Sequence, residues 1–197
     1  NSLGSETPDP SPQSTCSLSV PSNLSLGKAK PDAWRSALLN TNRVNATNFD
    51  IAVNCSQKLT TTFTPRVTMK FETPLNTTCF AKNELTSADA TNATIEIIRT
   101  VGGVATPICP ATSTTPTTLA FTAYNPTSTQ LYSDSITLQA AFRGPSGFSK
   151  PRTGPFSTRV TFTVKTNEEG STRQKAKGVP CMRYVQMLLE NDLAKSN

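Results

Sequence analysis

Five cysteines and no histidine set the chemistry open to this 197-residue chain. Cys16, Cys55, Cys79, Cys109 and Cys181 form no C-x-x-C pair, which with the lack of histidine argues against a structural zinc site. The same lack removes the usual base for a serine or cysteine nucleophile. No glycine-rich phosphate loop or H-E-x-x-H motif occurs, and the 13 carboxylates fall in no spacing that suggests a glycosidase pair. No catalytic residue, cofactor or metal is expected. What remains is disulfide chemistry, which belongs to an oxidising compartment. Two bridges can be drawn in fifteen ways (five choices of the leftover cysteine, three pairings of the rest), and spacing does not choose among them.

Charge is the second resource. Arg143, Lys150, Arg152, Arg159, Lys165, Arg173, Lys175 and Lys177 face only Glu168 and Glu169 in that stretch, a net of +6 that equals the net charge of the whole chain. The loop from Arg143 to Pro155 sets Phe148 among these cations. Arg143, Phe148, Lys150 and Arg152 are therefore a candidate patch for an anionic ligand, such as a host glycan or surface polymer. Nucleic acid is not expected, because no binding motif accompanies the charge.

The elements that must carry these residues read as strands. Ser and Thr make up about a quarter of the chain, prolines are frequent, and no apolar run is long enough to span a membrane. Phe49, Ile51 and Val53 alternate with Asp50, Ala52 and Asn54 and run into Cys55. Similar period-two runs carry Val67, Met69 and Phe71; Leu119 and Phe121; Ile136, Leu138, Ala140 and Phe142; and Val160, Phe162 and Val164. Gly102-Gly103 between two apolar runs predicts a hairpin. A short helical insert is expected over 30–40, with Pro31 at its first position. Residues 1–15, with Leu3 as the single large apolar residue, read as a disordered leader or linker.

The ordered set of Cys16, Leu26-Gly27, Phe49-Asp-Ile-Ala-Val-Asn-Cys55, the Gly102-Gly103 hairpin, Leu138–Phe142 and Gly154–Val164 resembles the pilin domains of bacterial chaperone–usher fimbriae. The likeness covers residues 16–166. It implies an all-β, immunoglobulin-like (pilin-type) sandwich that lacks its final strand. It also implies a Cys16–Cys55 bridge from the first strand to the end of the second. Cys79–Cys109 is the second expected bridge, which leaves Cys181 over. An incomplete sandwich has a groove beside its last strand, for which Ile136, Leu138, Val160, Phe162 and Val164 are the candidate lining. The partners implied are other fimbrial subunits through strand donation, a periplasmic chaperone and an outer-membrane usher. The location implied is an extracellular fimbria reached through the periplasm.

Two features depart from that pattern. Residues 1–15 lack the alternating apolar residues of a donor strand, which favours a tip subunit or an adhesin's pilin domain. In addition, residues 167–197 continue as a basic linker and tail. Met182, Val185, Leu188, Leu189 and Leu193 fit helical spacing, so a short C-terminal helix is the first expectation. Alternation at Val179, Cys181, Val185, Met187 and Leu189 supports a second one, that the tail supplies the missing strand in cis or to a partner. Five N-x-[ST] sequons, at Asn23, Asn45, Asn54, Asn76 and Asn92, keep another reading in view. That reading is a complete immunoglobulin-like ectodomain of a secreted or cell-surface glycoprotein that binds a protein partner.

Overall fold

A computed structural model describes residues 16–39, 41–58, 60–72, 79–145, 150–165 and 182–193. The expected leader 1–15, Phe148 and Cys181 lie outside the described residues. The Cys16–Gly27 run divides into β1 (Cys16–Ser19) and β2 (Asn23–Ser25), which belong to different sheets. Pro21 lies between them and has no N–H to continue a ladder. α1 (Pro31–Leu39) is the expected insert, and it buries Trp34 and Ala37 while Asp32 and Arg35 pair on its outer side.

The remaining strands are β3 (Val44–Cys55), β4 (Arg66–Phe71), β5 (Ala81–Lys82), β6 (Thr94–Val101), β7 (Val104–Pro107), β8 (Leu119–Ala120), β9 (Ser133–Arg143), β10 (Gly154–Lys165) and β11 (Met182–Leu193). One sheet runs β1-β3-β9-β6-β5, with β7 also paired to β6. The other runs β2-β11-β10-β4-β8. Gly102 and Gly103 close the β6–β7 hairpin at φ of 58° and 81°, the positive values that a tight two-residue turn demands.

The core lies between the sheets and follows the period-two pattern. Phe49, Ile51 and Val53 of β3 and Ile136, Leu138 and Ala140 of β9 meet Val67, Met69 and Phe71 of β4 and Val160, Phe162 and Val164 of β10. Phe49 and Phe162 bridge the sheets with ring centroids 6.1 Å apart. At another point Phe63, Tyr124 and Tyr132 form a three-ring cluster, and the Tyr132 hydroxyl donates to the Thr122 carbonyl. Burial, with the Asp134 charge nearby, pushes that hydroxyl's pKa above the ordinary tyrosine value, so it stays a donor.

Both expected bridges are present. Cys16–Cys55 ties β1 to the end of β3, and the ladder places these two residues directly opposite each other. Cys79–Cys109 joins the approach to β5 to the segment after β7.

The tail departs from the first expectation. Residues 182–193 form a strand, not a helix, paired antiparallel with β10 from Gly154↔Leu193 to Lys165↔Met182 and parallel with β2 from Asn23 to Ser25. The physical reason is non-local. Without it, the N–H and C=O groups on one side of β10 and on the facing side of β2 would have no ladder partner, and a helix bonds only to itself. Local propensity in this stretch leans towards a helix, and the two waiting edges override it.

The side of the first sheet away from the core carries a charge cluster. Glu96 is fully buried on β6 and accepts from the guanidinium groups of Arg43 and Arg143, the latter at 3.5 Å. Arg143 also lies 4.7 Å from the centre of the Phe80 ring. Its burial, with Arg43 beside it, pulls the guanidinium below the usual arginine range, and Glu96 opposes that shift. Replacing Glu96 by Ala would leave two half-buried cations facing each other. The expected cost is about 3 kcal/mol in urea unfolding, against a much smaller loss for Glu96→Gln. A loss under about 1 kcal/mol for Glu96→Ala would show that the cluster is solvated.

Candidate functional site

The central feature is the lane between β2 and β10. In the sheet order β2-β11-β10, β11 is the one strand between them. Taking it away would leave a gap one strand wide, floored by the core. Val160, Phe162 and Val164 line the β10 side of the lane, and Ile136 and Leu138 stand on β9 in the facing sheet. All five candidate groove residues are buried.

The ladder sets Val185 opposite Phe162, Met187 opposite Val160 and Leu189 opposite Thr158, with Arg183 opposite Val164 and Asn191 opposite Phe156. Opposed positions of an antiparallel pair share one side of the sheet. The strand thus sets apolar positions along the middle of the lane, flanked by Arg183 and Asn191, with Leu193 beyond them opposite Gly154. Sequence reasoning missed Phe156 and Thr158, which are also buried on β10. Running the period of two back from Val160 would have reached them. It also missed Leu24, which packs against the core from β2 and is paired in register with Leu189.

Of the proposed anionic patch, Phe148 lies outside the described residues. Arg143 is committed to Glu96 and Phe80, whereas Lys150 and Arg152 are exposed. Arg152 lines a recess of about 320 Å³ that it shares with Lys82, Asn83, Thr86, Asn92 and Pro145. Gly154 makes the approach possible. It sits at φ 141°, and a Cβ there would come within 2.0 Å of the Asp89 carbonyl oxygen. Only glycine lets the 87–91 loop close against the start of β10 in this way.

Among the described residues no group of His, Cys, Asp and Glu side chains could hold a metal ion. Among the same residues no helix is long and apolar enough to cross a membrane. The Asp134 carboxylate has a lowered pKa. Burial works to raise it, but the Thr122 amide at 2.7 Å, the Thr122 hydroxyl and the Ser135 amide at 2.8 Å more than offset that. These bonds tie two chain segments together.

No protein-family model matches the chain, and no curated protein matches it in sequence. Solved structures do match in shape. The CupB6 tip adhesin from Pseudomonas aeruginosa superposes over 91% of this chain and 44% of its own, at TM-score 0.58 and 12% identity. The chain shares its fold with fimbrial adhesins. A mutant of CfaE, the CFA/I adhesin of enterotoxigenic E. coli, superposes over 94% of this chain and 50% of its own, at TM-score 0.50 and 5% identity. The chain thus spans half or less of each of these adhesins. AvmM, which catalyses macrocyclization in alchivemycin A biosynthesis, overlaps at TM-score 0.37 with 10% identity, too little to relate the two folds.

Proposed function

We propose that this chain is a non-enzymatic, adhesive subunit or subunit domain of a bacterial surface fimbria, whose sandwich is completed by an inserted strand. The observation that carries this reading is the position of β11. It fills a lane between β2 and β10 as a separate piece, reached through the 16 residues between Lys165 and Met182. Antiparallel neighbours need only a turn of about two to five residues, and this stretch of sequence is far longer than a hairpin requires. The fold shared with fimbrial adhesins and the two disulfides support an extracellular location reached through an oxidising periplasm. A tip position, strand donation from another subunit, and passage through a chaperone and usher belong to the same proposal.

One observation favours the second reading, a complete immunoglobulin-like ectodomain: the lane is filled from within the chain itself. Against its glycoprotein form, the Asn45 amide donates to the Leu26 carbonyl at 3.0 Å, and the Asn92 side chain accepts from the Arg152 amide at 2.8 Å. Asn54 likewise accepts from the Ser133 hydroxyl at 2.7 Å, so three of the five sequon asparagines are engaged in holding the fold. The readings separate when a chain ending at residue 181 is co-expressed with a periplasmic fimbrial chaperone. The fimbrial reading expects a one-to-one complex that a donor-strand peptide dissociates. Failure of the truncated chain to bind the chaperone, with the full chain monomeric, would favour the ectodomain.

A further inference from the structure

The recess beside β5 and β6 adjoins the start of β10, and its architecture suits a ligand. Its walls are pinned before anything binds. The Asn83 amide donates to the carbonyls of Thr91 at 2.9 Å and Pro155 at 2.8 Å, while its oxygen accepts from the amides of Leu85 and Ser157, both at 3.0 Å. The buried Thr91 hydroxyl donates to the Arg152 carbonyl, and the Arg152 amide donates to the Asn92 side chain. These bonds lock the 83–92 loop against the start of β10. Little ordering cost is left for a ligand to meet.

The polar groups left over are cationic. Lys82 and Arg152 are exposed at the recess, and among the described residues neither side chain is in an ion pair. Thr86 and Asn92 add a hydroxyl and an amide, and Leu85 and Pro145 supply apolar surface. The volume of about 320 Å³ is at the small end of the range for small-molecule sites. Hydroxyls, an amide and small apolar patches around two unpaired cations match a sugar ring that carries an acid. An extended acidic peptide would need a longer groove than this.

We propose that this recess binds the acidic group of a saccharide, a carboxylate or a sulfate, held by Lys82 and Arg152 with the ring against Leu85 and Pro145. This rests on the adhesive reading above and specifies its ligand. The test titrates the full chain with 3′-sialyllactose, N-acetylglucosamine 6-sulfate and lactose, following backbone amide signals of residues 82–94 by NMR. The expected result is saturable binding of at least one acidic sugar, with lactose at least about tenfold weaker, and a loss of about tenfold or more in each of Lys82→Ala and Arg152→Ala. Those two side chains are exposed, so the variants should unfold as the parent does. Which acid binds identifies the group. No response to either acid at about 10 mM, equal binding of lactose, or undiminished binding by both variants would overturn the site. In the same preparation, a β11-deleted chain is tested for rescue by a peptide of residues 182–193. If rescue succeeds and sugar binding fails, the recess proposal falls alone; if rescue fails, the strand-completed reading falls whatever the recess does.

Discussion

A chain ending at residue 181 is expected to lose its cooperative unfolding transition and to aggregate, and a synthetic peptide of residues 182–193 is expected to restore both folding and solubility. β11 pairs along the whole of β10 and is the sole link from β10 to β2 in the second sheet. Its removal opens a full-length edge beside Val160, Phe162 and Val164, which are fully buried in the intact sandwich. A domain of this size is stable by only about 5–15 kcal/mol, so losing one central strand can consume most of that margin. An exposed apolar edge then recruits other chains. Register gives the test a sharper form. Met187 is opposite Val160 and Gln186 opposite Thr161, so a peptide carrying Met187→Asp should rescue at least about a hundredfold less well than one carrying Gln186→Asp. Equal rescue by the two peptides, or unchanged folding of the truncated chain, would show that β11 does not complete the sandwich.

The second large effect concerns the Cys16–Cys55 bridge. Replacing both cysteines by Ala is expected to lower stability by about 4 kcal/mol, because the bridge closes a loop with a sequence separation of 39. That corresponds to a fall in Tm of roughly 10 °C. Removing Cys79–Cys109, with a separation of 30, should cost nearly as much on loop entropy alone. The two losses should differ in one readout. β1 and β2 are four and three residues long, and β2 forms the far wall of the β11 lane. Freeing Cys16 releases β1, which runs into β2 through only three residues. The Cys16/Cys55 variant should therefore also weaken rescue by the 182–193 peptide, and the Cys79/Cys109 variant should not. Thermal unfolding and peptide titration of the two double variants measure both effects.

Much of the first sheet was legible because its signals are local. The alternation of Phe49, Ile51 and Val53 marks one face of a strand whatever lies beyond it, and the structure buries these three residues while Asp50 and Asn54 stay exposed. Gly102-Gly103 predicts its turn from backbone freedom alone. The candidate site was less legible. Arg143, Lys150 and Arg152 are close in sequence and all cationic, yet Arg143 is taken by a carboxylate 47 positions away while Arg152 joins Lys82 across the recess. Sequence proximity groups charges. Only packing decides which of them keep a partner.

The residues alone determined an all-β sandwich, its buried columns and its hairpin, and family likeness implied the Cys16–Cys55 pair. These rest on period-two patterning and turn chemistry that act within a few residues. Tertiary structure decided the fate of residues 182–193, where helical and alternating patterns coexist and two distant edges select the strand. It also decided that a recess is pinned by Asn83 and Thr91 beside two unpaired cations. Both outcomes depend on backbone groups far apart in sequence whose hydrogen bonds must be met once they are brought together. No local pattern encodes that requirement.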